Sequence, residues 1–441
     1  MTFILEHSIA RGAGAATIAA AIEAEIAHGR LGPETKLPTV RELAAGLEVS
    51  PATVAAAYRT LKQRGFVVAE RARGTTVAPV PPVRVKRVAP LPPGVRDLSS
   101  GNPDLRLLPS LVDALAQVDP GHKLYGGPAK LPELAALAET EFAEDGVRGE
   151  IAVTGGALDA IERALQTELR AGDRVVVEDP SWPRIADLVH ALGLVVEPVA
   201  VDERGLVPEH LEAALRGGAR AVIATPRGQN PTGAAVDAER GRALHAVVGR
   251  HPDVLVIEDD YVARVAGAPY VPLHQAEGRW AVVRSLSKVL GPDLRIAVVA
   301  GDELTISRIE GRQRLGPGWV SQILQQVAGL LLRDEATVEL LGRAQETYAE
   351  RRGALISALA ARRIGAYGDS GLGVWVPLAD EAAAARELLD QGWAVSPGER
   401  YRFRSATGIR ITTADLEPDE AERLAEAIAA LTGPPSATYA G

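Results

Sequence analysis

The sequence predicts an α/β protein in two unequal parts. A small helical head with a two-stranded wing precedes a large domain built on a mainly parallel sheet. The chain has 441 residues, more than one hydrophobic core usually serves. From residue 97 onward, apolar β-branched runs alternate with helical stretches, the pattern of strands crossed by helices. Charge divides the same way: residues 1–96 hold 13 Lys and Arg against 7 Asp and Glu, and residues 97–441 hold 35 against 50. A basic head on an acidic body points to a polyanion met by the head alone.

Composition removes several classes. With 46% hydrophobic and 24% charged residues the chain is ordinary for a globular protein, not disordered or collagenous. No run approaches 18 apolar residues, so no membrane-spanning helix is expected. Residues 1–10 lack the basic start and apolar core of a signal peptide, and a cytoplasmic location is expected. There is no cysteine, which excludes disulfides, thiolate metal sites and cysteine nucleophiles, and no metal site is expected. Only 6 of the 48 basic residues are Lys, so each Lys is informative.

The head begins with Ile18, Ile22 and Ile26, four residues apart on one helical face that His28-Gly29 ends. Thr39 caps a second helix whose inward face is Val40, Leu43, Ala44 and Leu47. Val49-Ser50-Pro51 makes a short turn into a third helix that buries Val54, Tyr58 and Leu61 and closes at Gly65. Strands at 66–69 and 75–78 flank the basic turn Glu70-Arg71-Ala72-Arg73-Gly74. Such a winged helix-turn-helix puts its reading helix into the DNA major groove. Ser50, Ala52, Thr53 and Ala56 then face the bases, and Arg41, Arg59, Lys62, Arg71 and Arg73 the phosphates. Gly74 removes the side chain that would keep the wing from a groove. A three-helix interaction unit with a hairpin fits the same pattern. Residues 79–95, with six prolines and Arg84, Lys86 and Arg87, read as an extended linker.

In the large domain, strands are expected at 174–178, 219–225, 254–257, 282–285 and 295–300, several apolar on both faces. Ligands of such sheets sit at the carboxyl ends of the strands, and the chemistry clusters there. Ser285-Leu286-Ser287-Lys288 leaves one strand and leads to Arg295; a lysine there can form a Schiff base with an aldehyde cofactor, and the hydroxyls and guanidinium can hold a phosphate. A lone lysine is more often plain surface. Thr154-Gly155-Gly156-Ala157 precedes a helix expected at 160–169, and its small residues open backbone N–H groups to an anion. Glu258-Asp259-Asp260-Tyr261 ends a strand with carboxylates that can keep a pyridine nitrogen protonated; an acidic turn or a metal site are the alternatives. Asp179-Pro180-Ser181-Trp182 offers an aromatic face for stacking, and Gln229-Asn230-Pro231-Thr232-Gly233 a turn with an amide donor.

The head resembles the GntR-type winged helix-turn-helix through Leu37-Pro38-Thr39-Val40-Arg41-Glu42-Leu43-Ala44, Val49-Ser50-Pro51-Ala52-Thr53-Val54 and Arg73-Gly74-Thr75. Where that family often carries Arg after the Ser of the turn, this chain has Pro51. Residues 97–432 resemble the fold-type I aminotransferases, which use pyridoxal 5′-phosphate (PLP), because the motifs above occur in the same order. The resemblance implies that Lys288 carries the cofactor, Asp259 pairs with its ring nitrogen, Asn230 and Tyr261 contact its ring oxygen, and Trp182 stacks on the ring. It implies further that Gly156, Ala157, Ser285 and Arg295 cradle the phosphate, that Tyr125 reaches in from a partner subunit, and that Arg410 clamps a ligand carboxylate. Asp260 competes with Asp259, and Arg402 and Arg404 compete with Arg410.

The combination resembles the MocR subfamily of bacterial regulators. The expected organisation is a DNA-binding domain at 1–78, a linker at 79–95 and an aminotransferase-like PLP domain at 96–441. The resemblance implies a domain-swapped homodimer that binds promoter DNA and senses PLP or an amino compound through an aldimine at Lys288, in a branch tied to vitamin B6. The alternative is a working aminotransferase with an accessory DNA-binding domain.

Overall fold

The structure, a computed structural model, describes residues 5, 8–27, 30–32, 34–63, 65–70, 74–78, 90–119, 121 and 124–432. The chain divides into two compact units: Met1–Val88 with Arg170–Val175 and Ala186–Val196, and the remainder.

In the head, α1 (Ala15–Ala27), α2 (Val40–Gly46) and α3 (Pro51–Gln63) precede β1 (Val67–Glu70) and β2 (Gly74–Val77). Ile18, Ile22, Leu43, Leu47, Val54, Ala57 and Leu61 are buried in one core. Thr39 builds a reciprocal cap on α2: its hydroxyl accepts from Glu42 N at 3.3 Å, and its own N–H donates to the Glu42 carboxylate at 2.8 Å. Tyr58 ties the helices together by donating to the Pro38 carbonyl at 2.8 Å. The wing is displaced by one residue from the expected strands. Phe66 N–H closes the end of α3 on Leu61 O, so the ladder starts at Val67, paired with Val77. Arg71, Arg73 and linker residues 79–89 lie outside the described residues.

In the large domain, β3 (Arg96–Asp97) precedes an eight-stranded sheet of β4 (Glu150–Thr154), β5 (Arg174–Asp179), β6 (Val195–Asp202), β7 (Gly205–Leu206), β8 (Ala219–Ala224), β9 (Leu255–Asp259), β10 (Arg279–Ser285) and β11 (Ala297–Gly301). The order is β4-β11-β10-β9-β8-β5-β6-β7. Strands β8, β9 and β10 run parallel, and β11 is antiparallel to both its neighbours. Central strands such as 255–259 are buried along their whole length, which is why they read as unbroken apolar runs. Register places Ser285, Ala297 and Thr154 level with one another, and Asp259 beside Val283. The carboxyl ends of β4, β9 and β10 therefore share one edge. The helix after β4, α4 (Ala157–Glu168), starts earlier than the expected residue 160, because Gly156 at φ +112° makes the turn and Ala157 enters the helix directly.

Beyond it, β12 (Gly373–Pro377), β13 (Trp393–Ala394), β14 (Ser396–Pro397) and β15 (Gly408–Thr412) follow the long helix α5 (Glu335–Ala361). Strands β12, β15 and β14 form a small sheet that shares a core with α5 and α6 (Pro418–Thr432) through Leu355, Leu359, Ile409, Ile411 and Leu424. Strand β13 pairs with β3. Among the described residues no helix is long and apolar enough to cross a membrane.

Candidate functional site

Lys288 lies three residues past β10 and donates from Nζ to the Gly101 carbonyl. Burial, reinforced by the Arg410 guanidinium, lowers its ammonium to about 8. Asp259 closes β9, and its Oδ1 is buried without a hydrogen-bond partner. Burial, together with the charges of Asp260 and Glu178, pushes its carboxyl up to about 7. Asp260 is spent elsewhere. It accepts from Arg227 at 2.7 and 2.8 Å and from Arg284 at 2.8 Å, and both guanidiniums also reach Asp145. Burial alone would raise Asp260, but the two guanidiniums outweigh it and hold the carboxyl below its ordinary range. Adjacent residues at a strand end point to opposite faces, and only Asp259 retains an open oxygen.

A buried amide organises the neighbouring loops. Gln229 Nε2 donates to Glu178 at 3.0 Å and to the Pro180 carbonyl at 2.7 Å. Its Oε1 accepts from Thr232 N at 3.0 Å and from the Thr232 hydroxyl at 2.6 Å. The turn bearing Asn230 and the loop bearing half-buried Trp182 are thereby fastened to one side chain. Asn230 keeps its amide oxygen unpartnered, and so does the Ser181 hydroxyl. Tyr261 donates to Gly228 O at 2.7 Å, and burial raises its phenol above the ordinary range.

The β4 turn and Arg295 form a small cradle. No side chain caps α4 at Gly156. A Cβ added at Gly156 would collide with the Arg295 guanidinium. Arg295, in the left-handed region at φ 50°, makes only long contacts of 3.4 Å to the Ser287 hydroxyl and the carbonyls of Gly155 and Pro292. Ser285 is buried and its hydroxyl accepts from Ser287 N at 3.2 Å.

The three arginines separate clearly. Arg402 is paired with Glu381 at 2.7 Å. Arg404 is exposed, and its backbone N–H bonds Asp179 at 2.8 Å. Arg410, central in β15, is 7% exposed and has no ion-pair partner among the described residues. Its Nη1 makes 3.4 Å contacts to Ser99 O and the Tyr401 hydroxyl. Tyr125 is 92% exposed, packs edge-on against Trp319 at 5.6 Å, and is joined to this cluster by no described contact.

On the head, Arg41, Arg59 and Lys62 are exposed and unpaired among the described residues, whereas Arg11 and Arg30 pair with Glu48 and Glu25. Ser50 and Thr53 bond each other at 2.9 Å, with Ser50 also accepting from Thr53 N at 3.1 Å. Ala52 is exposed and Ala56 half-buried. Lys36, absent from the sequence-derived set, bridges to Thr76 of the wing, and its stem lies against Gly74, where a Cβ would come within 3.3 Å. The scarcity of lysine was the signal that could have found it.

A family model described as aminotransferase class I and II matches residues 93–428, and one described as bacterial regulatory proteins of the gntR family matches residues 15–77. The vitamin B6 salvage pathway transcriptional repressor PtsJ of Salmonella typhimurium is 40% identical over 410 residues, covering 92% of this chain and 95% of that protein. The HTH-type transcriptional regulator TauR of Rhodobacter capsulatus is 28% identical, over 85% of this chain and 87% of that one. The solved structure of Pyrococcus horikoshii kynurenine aminotransferase superposes with a TM-score of 0.70 at 22% identity, covering 77% of this chain and 92% of that chain.

Fold and site define a DNA-binding winged helix carried on a PLP-type aminotransferase domain. The chain belongs to the MocR subfamily of GntR-type transcriptional regulators, whose cofactor here is pyridoxal 5′-phosphate. The residues fit that group: an orphaned buried carboxylate oxygen, an open amide end, a lysine with a depressed pKa, and a cradle that a Cβ at Gly156 would fill.

Proposed function

We propose that this regulator senses PLP, or an amino compound that reacts with it, at Lys288 and thereby sets its hold on promoter DNA, within vitamin B6 metabolism. The observation that carries this is the open Asp259 oxygen and depressed Lys288 on a chain that also bears a reading head. That the 40% identical relative PtsJ is a repressor of the vitamin B6 salvage pathway supports the metabolic assignment.

When bound, the cofactor supplies an aldehyde carbon that condenses with amines. Lys288, lowered to about 8, would hold the cofactor and would be partly neutral near pH 7–8, the form an aldehyde needs. Asp259 would accept the ring N–H, Asn230 and Tyr261 would hold the ring oxygen, and Trp182 would cover the ring face. Gly156, Ala157, Ser285 and Arg295 bind the phosphate through backbone N–H groups, a hydroxyl and a guanidinium. Arg410 clamps an α-carboxylate bidentately. The working division is 1–78 for DNA, 79–95 as linker and 96–441 as sensor. Exposed apolar side chains at Leu105, Val112, Leu124, Tyr125 and Leu315 support a homodimer, domain-swapped, with Tyr125 completing the second subunit's site. Its setting is the cytoplasm.

Regulation is then a population shift: the ligand changes DNA affinity only by binding the two arrangements of the reading heads unequally. The test is a gel shift of the DNA upstream of the protein's own gene with cofactor-free and PLP-loaded protein, and with Lys288→Ala. The expected result is a specific shift that PLP alters in the natural chain and not in the variant. An unchanged ligand response in Lys288→Ala overturns the proposal. The unpaired Arg410 beside Lys288 favours a second activity, transamination, which multiple turnover with a keto-acid acceptor would reveal.

A further inference from the structure

The outward face of the first two turns of the reading helix carries almost nothing that can tell bases apart by hydrogen bonding. Helix α3 turns Val54, Ala57, Tyr58 and Leu61 inward. Its first two turns therefore present Pro51, Ala52, Thr53, Ala55 and Ala56 outward. None of these has a guanidinium, amide or carboxylate, the groups that make bidentate contacts to guanine or adenine or accept from cytosine. The available hydroxyls are engaged. Ser50 and Thr53 bond each other at 2.9 Å, and Thr60 donates to Ala56 O at 3.1 Å. A hydroxyl in any case accepts and donates alike and does not discriminate. What remains on the face is methyl groups, and the base-edge feature that matches a methyl is the C5-methyl of thymine.

We infer that the helix reads its operator through apolar contact of Ala52 and Ala56 with thymine methyls. The two alanines are four residues apart, about 6 Å along the helix axis. That span matches roughly two base steps of 3.4 Å. Each half-site therefore carries two thymines within about two steps of each other. The exposed, unpaired Arg59 and Lys62 lie one to two turns further on, where the helix leaves the groove floor and meets phosphate.

The test uses the full PLP-loaded chain. Duplexes with a randomised core are selected for binding. The enriched sites are then remade with deoxyuridine replacing each thymidine in turn, which deletes one methyl and leaves pairing intact. Paired thymines in each half-site are expected, with affinity falling about fourfold per methyl removed at those positions and unchanged elsewhere. Ala52→Gly should erase the effect at one of the two positions, so that it binds the thymidine and deoxyuridine duplexes there alike. Arg59→Ala should weaken all duplexes alike and flatten the salt dependence by about one ion. Enriched sites that tolerate every uridine, or a guanine preference that vanishes in Arg59→Ala, overturn the inference while leaving DNA binding standing. No enrichment at all overturns both.

Discussion

Replacing Asp259 by Asn should stabilise the cofactor-free protein at alkaline pH and destabilise it at acid pH. The buried carboxyl is raised from 3.8 to about 7. At about 1.36 kcal/mol per pKa unit, keeping it ionised in the folded state costs about 4 kcal/mol. A carboxyl whose folded pKa lies above its unfolded value favours folding at low pH, and that advantage drains away as pH rises through the folded pKa. The full penalty is therefore felt above about 7 and vanishes below about 4. Asn removes the penalty but buries an amide in a site that offers it no partner, a cost of about 1–3 kcal/mol at every pH. The balance is a net gain of about 1–3 kcal/mol at pH 8 and a net loss of roughly 0.5–2.5 kcal/mol at pH 4, where little of the penalty remains. Thermal unfolding midpoints of the cofactor-free natural chain and variant, taken at both pH values, should differ in opposite directions. The PLP-loaded forms should diverge the other way, because the ring N–H contributes its charge only to a carboxylate. A midpoint change of one sign and size at both pH values would refute the assignment of Asp259 as the open acid.

Arg410→Met should retain PLP and lose any response to amino acids. Because the guanidinium lowers Lys288, its removal should move the pH midpoint for cofactor capture upward, followed by visible absorbance. Gln229→Leu removes one bond from Glu178, which keeps its bond from Thr225 N, and the acceptor of the Thr232 hydroxyl, and frees the turns of Trp182 and Asn230 from each other. PLP affinity should fall at least tenfold by fluorescence titration, with the fold retained by circular dichroism. Gln229→Glu places a second carboxyl against Glu178, which burial already raises to about 7, so relative to the natural chain that variant should lose less PLP affinity at pH 6 than at pH 8.

Much of this architecture was legible in the sequence. The head was readable because Ile18 and Ile22 share a face and Thr39 is followed three residues on by Glu42. The cofactor end was readable because β-branched runs terminate in polar clusters at Asp259 and Ser285. The ambiguities were of another kind. Choosing Asp259 over Asp260 depends on Arg227 and Arg284, more than twenty residues away on either side. Choosing Arg410 over Arg402 depends on Glu381, whose partnership with Arg402 no local pattern announces. The early start of α4 depends on a glycine at positive φ, a property that small residues permit without declaring. Gln229 was visible as a residue before an Asn-Pro turn, but its hold on Glu178 and Pro180 spans about fifty positions. Local periodicity sets elements and exposes clusters; long-range pairing decides which member of a cluster is left open.

The backbone of residues 99–101 touches both cations of the sensor site. Ser99 O faces Arg410, and Gly101 O receives Lys288 Nζ. Two residues before Ser99 the chain is still pinned to the sensor by β3. In the proposed division, the residues upstream of that strand lead to the reading head. The two basic side chains of the candidate site thus meet on one short peptide just after β3. Under the proposed function, a carboxylate that drew Arg410 away from Ser99 would change the contacts of this peptide beside β3.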